Sequence, residues 1–174
     1  MTERDAELLT KTLAKIEEIE AKGQGGWDQG EWVAWPAPDA ERAVKGKKGR
    51  FRSVFDASSS EQVALLPVDC GTAKCFAGWA VALAGEGIRQ RVYRWKNDQG
   101  EWVYGYGSAG VEVGGRWVPV SDRAEQLLGL DPYEAGALFS GSNSLDDLRE
   151  YVGNLIDGKD IAGSPRGSRC GRRG

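Results

Sequence analysis

The stretch from Ala73 to Ala84 carries one charged side chain, Lys74, in twelve residues, and no other segment of the chain is so apolar. It is far shorter than the roughly 20 residues a membrane helix needs, so it has to be enclosed by the rest of the protein. The pattern predicts a helix over 73–84 that is stopped by Gly85. Phe76, Trp79 and Leu83 would line its bulky face, with Trp79 buried. Cys75, Gly78 and Ala82 would line a face of small side chains that another backbone can approach closely. The remainder of the fold must be arranged around this helix.

Residues 3–22 read as a surface helix capped by Thr2 and ended by Gly23, with Leu9, Leu13, Ile16 and Glu20 on one stripe and Leu8, Thr12 and Ile19 beside it. Trp27 to Pro36 reads as a turn feeding a short strand. Val63 to Val68 reads as a strand leading into the apolar helix, and Phe51 to Phe55 is a further candidate strand. From residue 91 to 120 the period changes to two. Around Asn97-Asp98-Gln99-Gly100, pairing Lys96 with Glu101 would set Trp95 opposite Trp102 and Tyr93 opposite Tyr104, gathering four aromatics on one face. Gly114-Gly115 then joins Val111–Val113 to Arg116–Val118 as a second hairpin. A helix from Ser121 or Asp122 to Leu128 ends at Gly129. Capping boxes at Asp131-Pro132-Tyr133-Glu134 and Ser144-Leu145-Asp146-Asp147 open two more, the last with Leu148, Val152, Leu155 and Ile156 facing inward. The hexamer Asp-Gln-Gly-Glu-Trp-Val occurs at 28–33 and 98–103, each time where a turn feeds a strand. The predicted fold class is α+β, a small helical core around the apolar helix with an antiparallel β-hairpin meander. The expected organisation is one domain over 1–162, including a basic loop at 37–60, and a disordered basic tail at 163–174. A glycine content of 25 in 174 residues suits such a turn-rich chain.

The chain contains no histidine, which excludes a Ser-His-Asp triad, a Cys-His pair and any histidine-ligated metal. Cys70 and Cys75 flank a helix start where unpaired amides, the helix dipole and Lys74 favour a thiolate. Four readings of the pair stand side by side: buried packing, a local disulfide or redox switch, a thiolate nucleophile, and a zinc site. The last lacks ligands, because the tail offers only Cys170, and neither a metal nor another cofactor is expected. Gly105-x-Gly107-x-x-Gly110 imitates a dinucleotide fingerprint but lies between strands, and Ser140 to Ser144 lacks the carboxylates of a calcium loop.

Cys70-Gly71-Thr72-x-x-Cys75-x-Ala77-Gly78-Trp79-Ala80, with Trp27-Asp28-Gln29 before it and Leu127 to Leu130, Glu134, Ala135, Leu138 and Phe139 after it, resembles a family of small proteins frequent in phages of actinobacteria. The resemblance spans about two thirds of the chain, including the Ser144 to Leu148 helix start. It implies a phage protein acting in the cytoplasm of its host and assigns no catalytic residue.

Two basic segments lie outside the resemblance. Arg42, Lys45, Lys47, Lys48, Arg50 and Arg52 place six cations in eleven residues, and Arg166, Arg169, Arg172 and Arg173 fill the tail. Either is a solvated loop or a contact for nucleic acid, with hairpin aromatics as stacking platforms. The functional expectation is a non-enzymatic phage accessory protein, soluble and cytoplasmic, that binds a host or phage macromolecule through protein–protein interaction and serves host takeover. A thiol-dependent redox or transferase-like enzyme using Cys70 and Cys75 and a nucleic-acid-binding module are the alternatives. No membrane partner is expected.

Overall fold

The computed structural model describes residues 4–23, 27–29, 33–34, 50–51, 60–68, 73–159 and 161. Five helices and seven strands occur among them: α1 (Ala6–Lys22), β1 (Val33–Ala34), β2 (Arg50–Phe51), β3 (Glu61–Pro67), β4 (Ala73–Lys74), α2 (Phe76–Leu83), β5 (Arg89–Lys96), β6 (Trp102–Val113), β7 (Arg116–Pro119), α3 (Val120–Leu128), α4 (Pro132–Leu138) and α5 (Leu145–Ile156). This is an α+β fold.

The helices follow their sequence signals closely. Asp5, rather than Thr2, caps α1 by accepting from Leu8 N at 2.8 Å, and Gly23 closes it at φ 59°. Leu8, Leu9, Thr12, Ile16 and Ile19 form its buried face, while Glu20 lies outside. Both predicted capping boxes are present at α4 and α5. The inward face of α5 consists of Leu148, Val152 and Leu155; Ile156 is 44% exposed, because it falls in the last turn beyond the packed stripe. Helix α3 begins at Val120, one residue before Ser121, with Pro119 at its N-cap.

The apolar helix is shorter than predicted. Ala73 and Lys74 are strand residues that pair with Ala34 and Val33, so α2 starts at Phe76 with Cys75 as its N-cap. Phe76 to Val81 are all buried, and the helix packs on α1 and α3. Leu83, placed by its spacing on the bulky buried face, is instead 40% exposed at the helix end. Trp79 is 8% exposed, with Lys74 Nζ 4.6 Å from its ring centroid. Membrane insertion of these elements has no candidate, since no helix among the described residues is long and apolar enough to cross a bilayer.

The larger sheet runs β2-β6-β5-β3, and β7 also pairs with β6. Only β2 is parallel to its neighbour, setting Arg50 against Val103 and Phe51 against Tyr104. The β6–β7 turn is the predicted Gly114-Gly115 pair, with φ 57° and 75°, the left-handed values a two-residue hairpin requires. The β5–β6 register differs from the sequence reading by one residue. Lys96 faces Trp102, Trp95 faces Val103, Arg94 faces Tyr104 and Tyr93 faces Gly105. The cause lies in the turn. Asn97 bonds across to Glu101, leaving a three-residue loop with Gly100 left-handed at φ 74°, where the sequence reading used a four-residue loop. Asn97 Oδ1 reinforces it by accepting from Gln99 N at 3.0 Å and Glu101 N at 2.9 Å. Because side chains alternate, a one-residue slip separates the four aromatics onto opposite faces. Trp95 and Tyr93 occupy one side; Trp102 and Tyr104 occupy the other, where Arg94 stacks 4.5 Å from the Trp102 ring.

The helix-facing side of the sheet contributes Ile88, Ala109, Val111, Val113 and Val118 to the main core. Farther along it, Val92 and Tyr104 form a second small core with Ala64, Leu66 and Tyr106.

Candidate functional site

The motif residues around Cys75 converge in space, and Gln29 is what joins them. Its side chain is buried at 7% exposure. The Oε1 atom accepts from Phe76 N at 3.1 Å and from Trp27 Nε1 at 3.4 Å, while Nε2 donates to Leu138 O at 3.0 Å and Ser140 O at 3.2 Å. Phe76 N is one of the amides that a helix start leaves without an intrahelical acceptor. One glutamine therefore supplies the missing cap of α2 and ties it to the end of α4. Backbone pairing holds Gln29 there: Asp28 N donates to Lys74 O at 3.3 Å, and Trp27 bridges to Lys74. The two copies of the hexamer thus part ways, since Gln99 is exposed in a turn while Gln29 is a buried strut.

Cys75 sits at this junction with 1% exposure. Its thiol is pushed up to about 11, because burial penalises the thiolate more than the backbone amides of Gly78 and Ala77 favour it. The helix-start amides do favour the thiolate, but desolvation outweighs them. Lys74 is also buried, at 2%, against Trp79. Cys70 lies outside the described residues, as do Thr72, the basic tail and all of the basic loop except residues 50–51 and 60. Of the candidate contact residues, then, Arg42, Lys45, Lys47, Lys48, Arg52, Arg166, Arg169, Arg172 and Arg173 are not placed. Arg50 is placed by its backbone, at the edge of β6 beside Val103.

The other motif residues also have structural duties. Glu134 is 2% exposed; its Oε2 accepts from Asp131 N at 3.1 Å, completing the capping box, and its Oε1 pairs with Arg4. Arg4 Nη1 in turn donates to Leu155 O at 3.1 Å, so one ion pair fastens the entry of α1 to α4 and α5. Leu128, Leu130, Ala135, Leu138 and Phe139 belong to the core.

A second constellation, which the sequence reading did not identify, lies on the sheet side away from the helices. The Arg91 guanidinium stacks 4.1 Å from the Trp117 ring centroid. Beneath the aromatics run the glycines of the imitation fingerprint. A Cβ on Gly107 would collide with the Tyr93 ring, and one on Gly110 with the Val118 carbonyl oxygen and with the Trp117 ring at 2.7 Å. These glycines are present for close packing, not for phosphate. Only the register, which brings β5 and β7 to either side of β6, reveals the cluster. Among the described tryptophans, Trp79 and Trp95 are buried and only Trp102 is exposed, at 38%. The described residues contain no group of three or more His, Cys, Asp or Glu side chains able to hold a metal ion.

Comparisons with protein-family models, curated proteins and solved structures found no match to the chain.

Proposed function

We propose that this protein is a non-enzymatic binding protein whose partner is another protein. The observation that carries the reading is the condition of Cys75. A thiol at 1% exposure, held near 11, is a packing group at neutral pH, and a nucleophile needs the thiolate. The motif around it serves as architecture through Gln29, Lys74 and Glu134, which leaves the surface as the place for function. The family resemblance supports placing the partner, host-made or phage-made, in the cytoplasm of an infected actinobacterium.

The test is stoichiometric capture of a discrete protein from host extract by the purified chain, repeated with Cys70→Ala/Cys75→Ala and after nuclease treatment. Capture that survives both supports the reading. Loss with the cysteine variant, in a protein that still folds, would favour the thiol enzyme instead.

A nucleic-acid-binding reading is favoured by a different observation. The pairing of Arg50–Phe51 with Val103–Tyr104 brings the end of the basic segment to the β6 edge that carries β7 farther along, and elsewhere on the same sheet Arg91 stacks on Trp117. Binding of that kind falls steeply with salt as counterions are released. The absence of a gel shift on any DNA or RNA at about 50 mM salt would eliminate it.

A further inference from the structure

Helices α3 and α4 meet at a pocket of about 230 Å³ lined by Ser121, Glu125, Pro132, Ala135, Gly136 and Phe139. It is smaller than the roughly 300–1,000 Å³ typical of small-molecule sites, which suits a single inserted side chain. Ser121 and Glu125 are the polar residues of its lining. Three carboxylates belong to this neighbourhood, and two are occupied. Asp122 Oδ1 accepts from Ser121 Oγ at 2.9 Å, and Asp131 Oδ1 accepts from Tyr133 N and Glu134 N, each at 2.9 Å. Arg123, the basic residue of α3, is committed to Glu86 at 2.9 Å. The Glu125 carboxylate has no hydrogen-bond or ion-pair partner among the described residues, whereas its backbone oxygen accepts from Gly129 N and Leu130 N. Burial, then the charges of Asp122 and Asp131, raise its pKa. A carboxylate in that position gains most from an incoming cation.

The geometry points to this pocket as the receptor for an arginine side chain presented by the partner protein. The inference rests on the protein-binding reading above and deepens it. A metal ion is a poor occupant, because it would need several oxygen ligands and one carboxylate is free. Guanidinium fits better than ammonium. It is flat and weakly hydrated, lies against apolar and aromatic surface, and meets a carboxylate with two parallel N–H donors. Its methylene stem can lie along Pro132 and Phe139. The mouth is open at Gly136, where a Cβ would meet nothing within 4 Å, and Tyr133 on the same helix offers apolar surface at 61% exposure.

The experiment is an NMR titration of the full chain at pH 7 with N-acetyl-arginine methylamide. Saturable shifts at Ser121, Glu125 and Gly136, with Kd on the order of millimolar, are expected for a single residue. Glu125→Gln should weaken binding about tenfold. Gly136→Leu, which fills open space without touching the core, should abolish the shifts while leaving the fold's spectrum intact. The uncharged citrulline analogue should not bind, and the lysine analogue should bind more weakly. No saturable shift up to about 100 mM, equal binding of citrulline, or indifference to Glu125→Gln would overturn the assignment. Tighter binding of free L-arginine, whose own carboxylate the acidic rim repels, would indicate a metabolite pocket and also overturn it. Because the probe is one amino acid, its failure leaves macromolecular binding untouched. Probe binding without any captured partner would fail the protein-binding reading alone.

Discussion

Replacing Gln29 with Leu keeps side-chain volume and apolar contact but removes four hydrogen bonds from one buried point. The losses are unequal. Phe76 N, in the first turn of α2, loses the acceptor that Gln29 Oε1 provides, and a stranded buried donor costs about 1–3 kcal/mol. Leu138 O keeps Asn143 Nδ2 at 3.0 Å and Ser140 O keeps Asn143 N at 3.2 Å, so each loses one of two donors, about 0.5–1.5 kcal/mol apiece. The Trp27 contact, long at 3.4 Å and half-buried, adds little. The sum is about 2–6 kcal/mol, a large share of the roughly 5–15 kcal/mol available to a domain. With m near 2 kcal/mol/M, the urea midpoint should fall by about 1–3 M. Gln29→Glu discriminates further. It can still accept from Phe76 N, but its charge faces two carbonyl oxygens in a buried site, so its folded-state pKa must rise. Its stability should therefore recover as pH falls below that raised value and decline as pH rises through it. A Gln29→Leu protein within about 0.5 kcal/mol of the parent, the range of an ordinary surface change, would refute the role of Gln29 as the strut between α2 and α4.

Gly110→Ala should be costlier than Gly107→Ala, near the upper end of about 1–3 kcal/mol, because its Cβ meets the Val118 backbone while that of Gly107 meets a movable Tyr93 ring. Tyr93→Ala should rescue Gly107→Ala in a double-mutant cycle and leave Gly110→Ala unrescued. Cys75 in the folded protein should alkylate slowly at pH 7 and speed up as pH approaches about 11; fast labelling at pH 7 without unfolding would contradict its burial. Glu125→Gln should raise the melting temperature at pH 7. The raised pKa means that ionised Glu125 destabilises the fold, so the gain should vanish below the unfolded-state pKa, as thermal scans between pH 3.5 and 7.5 would show (range chosen about the ordinary carboxylate value).

Short-range chemistry was legible in the chain itself. The capping boxes at Asp131 and Ser144, the Gly23 and Gly129 stops, the Gly114-Gly115 turn and the amphipathic stripes of α1 and α5 each depend on residues within about one turn of one another. The α+β class follows from those signals and from the change of period near residue 91. The apolarity of residues 73–84 and the cysteine motif that opens them are legible in the chain. The chemistry of Cys75 was not legible, because whether a thiol at a helix start is reactive depends on how completely other elements exclude water from it. Tertiary structure decided the rest. The β5–β6 register turned on whether Asn97 belonged to the loop or to the ladder, and that one residue set which face every aromatic occupies. Gln29 belongs to a motif legible in the chain, but three of its four side-chain bonds reach partners more than 40 residues away, so no local pattern shows its role as a strut. The same holds for Arg91 on Trp117 and for the Glu125 carboxylate, which has no partner among the described residues while the nearby Arg123 is engaged by Glu86. Periodicity records which side of an element is apolar, whereas burial, register and partnership are properties of pairs of elements, and those pairs exist only once the chain has packed.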